Sequence, residues 1–377
     1  MDKLEREETM DNKASQQLIK EANLKLVFSL IHKNKKISRA DIKKITKLSA
    51  TTVSTLAEVL MAEGFVSECG IKNTKSSGRK AVMLKVNSDG GFFIGLDVQK
   101  TRIEAACYGL DFTLAEKIEH PVIKGENLAM GVMHAVGRLS GKRRILGITI
   151  GLPGVIDPAT NTLISSTVMA AEDAKDIYST LKEALPDVDI YLKNNSGLIA
   201  LAEKEFGGHE NPENLISVDI DDGVGAGILI DGEIYDGSGM AGEFGHISVD
   251  FNGKRCKCGS YGCLELYSSM PAILDATKVK AAGEVKKLSG EKEKEALKKS
   301  ARALAFGINN IINLLDPELI VIGGSVRETG DAFLNPVKEC FSEISLIKNK
   351  KIVYSELKEN PVALGGARYS FDKLFSI

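Results

Sequence analysis

The stretch Gly242-Glu243-Phe244-Gly245-His246, followed by Cys256-Lys257-Cys258-Gly259-Ser260-Tyr261-Gly262-Cys263-Leu264-Glu265, decides how the whole chain is read. His246, Cys256, Cys258 and Cys263 fall within eighteen residues. One imidazole and three thiols are the composition that zinc favours for a closed tetrahedral site. A closed site leaves no position for a reacting water, so the expected Zn2+ is structural: it shapes a loop and performs no chemistry. Two carboxylates stand beside the ligands, Glu243 three residues before the His and Glu265 two after the last Cys. Held by the loop, they are candidates for gripping a polyol. A plain zinc knuckle with two incidental surface acids would look the same at this point.

Working outward, 377 residues with 43% hydrophobic and 27% charged side chains predict a soluble globular protein of two or three domains. No apolar run approaches a membrane span, and the polar, charged N-terminus predicts no signal peptide. Cys69, Cys107 and Cys340 are scattered, which is cytoplasmic usage and not a disulfide framework. Charge is unevenly spread. Residues 1–88 carry 17 Lys and Arg against 10 Asp and Glu, whereas residues 89–377 carry 32 against 41. A basic head on an acidic body points to nucleic-acid binding by the head, although a solvated basic face has the same signature.

Within the head, residues 1–19 are polar and acid-rich and are expected to form a flexible arm, with a winged helix-turn-helix domain over 20–88. Leu24, Val27, Phe28 and Ile31 give the apolar stripe of a helix ending near Asn34. Ser38 with Asp41 opens a second helix, Ser49 caps a third, and Gly64 stops it. The outward residues at the start of the third helix, Ser49, Ala50, Thr51, Thr52, Ser54 and Thr55, are small and mostly hydroxylated, suited to close approach to phosphates and base edges. Two strands then flank a tip that includes Lys72, Lys75, Arg79 and Lys80, of which Arg79 and Lys80 are expected to contact double-stranded operator DNA.

From Gly91 the texture changes to strands. Phe92–Asp97, Ile103–Leu110 and Leu114–His120 precede a helix over 127–139 and the strand Ile145–Ile150, which runs into Gly151-Leu152-Pro153-Gly154. The half from about 207 repeats the plan: Leu215–Ile220, a glycine-rich turn at Gly223–Gly227, a further strand, helices, and Leu319–Ile322 before Gly323-Gly324. Two α/β lobes of similar layout imply a ligand cleft between them. Gly323-Gly324 and Gly365-Gly366 read as turns ahead of helices.

These residues resemble the ROK family of bacterial repressors and sugar kinases. The likeness lies in Gly242-Glu243-Phe244-Gly245-His246, in the Cys256, Cys258, Cys263 and Glu265 pattern, and in the turns at Gly151–Asp157 and Ile322–Gly324. It covers about residues 20–370, and Gly262-Cys263-Leu264-Glu265-Leu266-Tyr267-Ser268 looks most like the family's xylose-repressor branch. The resemblance implies an α/β fold: a two-lobed, actin-like (ribonuclease-H-like) body preceded by the α+β winged helix-turn-helix. Lobe one would span 91–206, completed by 360–377, and lobe two, with the zinc loop, 207–359. It also implies a sugar effector, xylose or another monosaccharide, held by Asn194, Asn195, Glu243, His246 and Glu265. Chemistry agrees, since a carboxylate accepts two hydroxyl hydrogen bonds and an imidazole fixed on metal by one nitrogen keeps the other free.

The same resemblance separates a kinase from a sensor. Family kinases carry a general base at the second residue of an Asn-Asp pair, where this chain has Asn195, whose carboxamide cannot take a proton at neutral pH. The run Asp97-Val98-Gln99-Lys100-Thr101 lacks the glycines that let backbone N–H groups approach a nucleotide phosphate, and Asp221-Asp222 puts two negative charges at the second phosphate turn. The expectation is therefore a cytoplasmic, sugar-responsive repressor without catalytic residues, acting as a homodimer on a palindromic operator. A sugar kinase with an appended DNA-binding head is the alternative.

Overall fold

The computed structural model describes residues 2–71, 81–122, 127–157, 159–166 and 170–375. The head consists of α1 (Asp2–Asn34), β1 (Ile37–Ser38), α2 (Arg39–Thr46), α3 (Ala50–Ala62), β2 (Val66–Ile71) and β3 (Val82–Val86), with sheet order β1-β3-β2. Its helix signals act as read. Ser38 Oγ accepts from the Asp41 N–H at 3.2 Å, and Ser49 Oγ from the Thr52 N–H at 3.0 Å. Gly64 follows α3 with φ +81°, the left-handed conformation that ends a helix cheaply in glycine.

One expectation for the head is corrected. Residues 2–19, expected as a flexible arm, belong to α1. Residues 2–34 contain neither Gly nor Pro, so nothing interrupts the helix that the Val27, Phe28 and Ile31 stripe anchors. Arg79, Lys80 and the rest of the basic tip lie outside the described residues.

The body begins with β4 (Phe92–Val98), β5 (Arg102–Gly109), β6 (Leu114–Pro121), α4 (Leu128–Ser140), β7 (Ile145–Leu152), β8 (Val155–Asp157), β9 (Thr162–Ser165), α5 (Ala171–Ala184), β10 (Asp189–Asn194) and α6 (Asn195–Phe206). It continues with β11 (Leu215–Ile220), β12 (Val224–Ile230), β13 (Glu233–Ile234), α7 (Glu265–Ser268), α8 (Met270–Thr277), α9 (Glu291–Leu315), β14 (Leu319–Gly323), α10 (Asp331–Ile344), β15 (Lys351–Tyr354) and α11 (Pro361–Phe375). The sheet orders are β10-β7-β4-β5-β6 and β13-β12-β11-β14-β15. Each sheet is an antiparallel three-strand meander to which two parallel strands are added beside the first strand. The faint repeat in the sequence is thus a repeat of topology. The inner strands β4 and β14 are buried along their whole length, as sheets covered on both faces require.

The last helix of each lobe crosses to the other. α6 follows β10 but packs on β11 and β12, while α11 follows β15 but packs on β4 and β7. Gly365 and Gly366, expected as a turn, lie inside α11. A Cβ at Gly365 would overlap the Leu198 carbonyl of α6, so glycine there sets how closely the two crossing helices approach. The other end of α11 reaches the head: Phe371 and Phe375 share one apolar core with Val27, Phe28, Ile31, Phe93 and Tyr108.

Candidate functional site

The loop between β13 and α7 carries the thiols and the imidazole. Gly262, at φ +62° and against the Asp250 carbonyl, turns the chain just before Cys263, where a side chain would not fit. Short bridges pair Ser248 with Cys263 and Arg255 with Tyr261. The ligand atoms of His246, Cys256, Cys258 and Cys263 all lie within 4.8 Å of one another, so the four side chains could hold one metal ion. Cys256 Sγ stands 3.8 Å from His246 Nδ1, and Cys258 Sγ 3.6 Å from Cys263 Sγ. Nε2 of the same imidazole is 4.0 Å from Glu243 Oε2. One ring nitrogen therefore faces the cluster while the other faces the carboxylate.

Glu265 opens α7 two residues after the last thiol. Its Oε2 accepts from the Val224 N–H at 3.4 Å, and its Oε1 pairs with Lys257 Nζ at 3.2 Å. Lys257, between two of the Cys, is a partner that sequence reasoning passed over; its only signal was a cation inside the ligand spacing.

Between the lobes lies a cleft of about 1070 Å³. Asp97, at the end of β4, is its best-connected buried acid. It accepts from Asn195 Nδ2 at 3.2 Å, from Gln99 Nε2 at 2.6 Å and from Asn360 Nδ2 at 3.1 Å. Burial raises the pKa of Asp97, and the Asn360 and Gln99 amide donors partly offset it. Across the cleft, burial and then the neighbouring Asp221 push Asp219 up to about 7. Asp221 itself accepts from the Ser325 N–H at 2.7 Å. Asn360 was also missed. Its Oδ1 caps α11 by accepting from the Ala363 N–H at 3.0 Å, a role that the Asn360-Pro361 pair at a helix start could have signalled.

The five residues proposed for the sugar are distributed as follows. Asn195 lines the cleft, and its Oδ1 is buried without a hydrogen-bond partner among the described residues. Asn194 is occupied structurally, capping α6 through the Ser196 N–H at 2.8 Å and donating to the Gly154 carbonyl at 2.7 Å. Glu243 and His246 stand on the cysteine loop, and Glu265 backs Gly223, one of the cleft-lining residues. On the head, Ser49, Ala50, Thr51 and Thr55 are exposed, whereas Thr52 and Ser54 are half-buried. The Thr52 hydroxyl is engaged with Ser49 Oγ at 2.8 Å. Among the described residues, no helix is long and apolar enough to cross a membrane.

Comparison with known proteins agrees with this architecture. A xylose repressor of Bacillus spizizenii is 33% identical over 373 residues, covering 93% of this chain and 95% of the relative. A solved ROK family transcriptional regulator, a homologue of the E. coli MLC protein, superposes with a TM-score of 0.81 at 25% identity, covering 95% of this chain and 98% of that one. A ROK family glucokinase from Streptomyces griseus, solved with glucose and AMPPNP, shares the fold with a TM-score of 0.63 at 22% identity, covering 74% of this chain and 99% of its own. A profile of the ROK family matches residues 93–368, and with these observations the chain belongs to the ROK family.

Proposed function

We propose that the chain is a cytoplasmic, sugar-responsive transcriptional repressor that binds operator DNA as a homodimer and has lost phosphotransfer. The observation that carries this reading is the amide of Asn195 beside Asp97, 3.2 Å from its carboxylate. At that position a kinase of the family would hold a general base, and a carboxamide can orient a sugar hydroxyl but not deprotonate it. Gln99 donates to Asp97 where an open glycine turn would admit phosphate, and Asp221 and Asp222 line the opposite wall. These acids disfavour a polyphosphate by like-charge repulsion. The glucokinase, moreover, covers 74% of this chain, whereas the solved transcriptional regulator covers 95% of it.

The cysteine loop would hold a structural Zn2+. Four N and S ligands at roughly 2.0–2.3 Å from one centre stand about 3.5–3.8 Å apart at tetrahedral angles. The 3.6 Å and 3.8 Å separations in the loop fit that spacing. Bound there, the ion would hold His246 Nδ1 and leave Nε2, with Glu243 and Glu265, to meet hydroxyls of xylose or a related monosaccharide. Lys257 would have to release Glu265 as the sugar enters. The exposed start of α3, with the tip carrying Arg79 and Lys80, would take the DNA.

The test is operator binding by fluorescence anisotropy, using DNA from upstream of xylose-utilisation genes. Xylose should weaken the complex, and Glu265→Ala should abolish the response while leaving DNA affinity within about twofold. Release by no monosaccharide would remove the sensor reading. Turnover of ATP, magnesium and a sugar at ordinary kinase rates, about 1–100 per second, would replace it with a kinase.

A further inference from the structure

An ion pair joins the two sheets. Lys193, in β10 of the first, is 9% exposed, and its Nζ stands 2.5 Å from Oδ2 of Asp236, which follows β13 of the second. The same ammonium lies 5.0 Å from the centroid of the Tyr369 ring in α11, a cation–π contact. An ammonium so little exposed is costly without a carboxylate, which ties the two elements together. Each partner leads into a residue of the candidate sugar grip. Lys193 is followed by Asn194, which caps α6, and by Asn195, which lines the cleft. The Asp236 carbonyl accepts from the Gly239 N–H at 2.8 Å and the Ala241 N–H at 3.3 Å, closing a turn that runs through Gly242 to Glu243. Gly242, at φ +90°, lies so close to the Ala226 carbonyl of β12 that no side chain would fit, which fixes where the turn ends. At Gly239 a Cβ would fall 2.6 Å from the Ile156 carbonyl of β8, so the turn also rests on the first lobe.

We propose, resting on the sugar-sensor reading of the cleft, that Lys193 and Asp236 are a positioning pair. Their contact sets the spacing between Asn195 and Glu243, so that one monosaccharide reaches both; neither side chain need touch the sugar. A grip built from two sheets must hold its groups to within about 0.5 Å, and the ion pair does so by fixing the turn against β10. Tyr369 belongs to α11, whose last turns pack against the head. A shift of the pair as sugar enters therefore also bears on the helix that the head rests on.

Operator release by xylose, or by whichever monosaccharide of a panel releases the parent, tests the pair together with hydrogen exchange on the full chain free of DNA and sugar. Lys193→Met is the variant of choice. It keeps an unbranched stem beside Tyr369, and Asp236, whose side chain is 20% exposed, can turn to water, whereas Asp236→Asn would strand the ammonium. In Lys193→Met the sugar concentration for half-release should rise about tenfold, with DNA affinity in the absence of sugar kept within about twofold. Amide exchange across 236–243 should quicken at least about tenfold, with β11 unchanged. Unchanged half-release, an equal loss of DNA affinity, or unchanged exchange across the turn would each overturn the proposal. If no monosaccharide releases the parent, the sensor reading falls, and exchange alone then judges the pair. Should Lys193→Met fail to fold, Asp236→Glu, which lengthens the tether by one methylene, decides: half-release should rise at least about threefold, and no change would overturn the pair.

Discussion

The ring of Phe28 in α1 stands 4.2 Å from that of Phe375 at the end of α11, so the first and last helices of the chain meet. Phe371, one turn earlier, lies 6.0 Å from Phe28 and 4.8 Å from His32. At its other end α11 begins beside Asn360, which holds Asp97 in the cleft. One helix therefore touches both the cleft between the lobes and the head. Any change in lobe angle that moves α11 must move α1 with it.

Phe371→Ala would open that junction. Removing a buried ring should cost about 3–5 kcal/mol of stability. Urea denaturation should show the loss, and protease should separate head from body faster than in the parent. A variant as stable as the parent would mean that the ring cluster contributes little.

Asp219 gives a pH dependence with a definite sign. Its folded-state pKa of about 7 lies above its ordinary value of 3.8, mainly through burial. Between those values the folded chain keeps a proton that the unfolded chain has lost, so this group's contribution to stability declines as pH rises through the window. Asp219→Asn cannot ionise. It should flatten the profile and exceed the parent in stability at pH 8 by at least about 1 kcal/mol. Denaturation curves at pH 5 and pH 8 measure the difference.

Metal content should be one zinc per chain by elemental analysis, falling well below that in Cys258→Ser. Chelation should lower the melting temperature, because binding energy at a structural site is folding energy. The response to xylose should fail with it, since His246, Glu243 and Glu265 depend on the loop.

Asn195→Asp should not create a kinase. It would replace the 3.2 Å amide contact to Asp97 with a second carboxylate. Two carboxylates so close cannot both ionise, so the variant should lose about 2 kcal/mol of stability at neutral pH and recover it on acidification. ATP turnover should stay at background, with Gln99 and Asp221 still in place.

Much of this was legible in the sequence because the signals were local. The ligand set of one His and three Cys, the caps Ser38 and Ser49, and strands such as Leu215–Ile220 depend on residues close together in the chain. What escaped depends on chain crossings. Asn360 reaches Asp97 across 263 positions, and Gly365 looked like a turn because its neighbour, the Leu198 carbonyl, belongs to a helix that crosses from the other lobe. The long α1 was hidden differently: its polar first half has no apolar periodicity, and helical propensity alone carries it.

The aromatic junction also limits how freely such a head can be exchanged. Phe65 meets Phe375 at 5.6 Å, and His32 meets Phe112 at 5.8 Å, so this head finishes its burial on side chains that the body supplies. Cut away after residue 88, it would present a bare aromatic surface to water and self-associate. A chimaera meant to redirect operator choice would need to carry the terminal helix along with the reading domain.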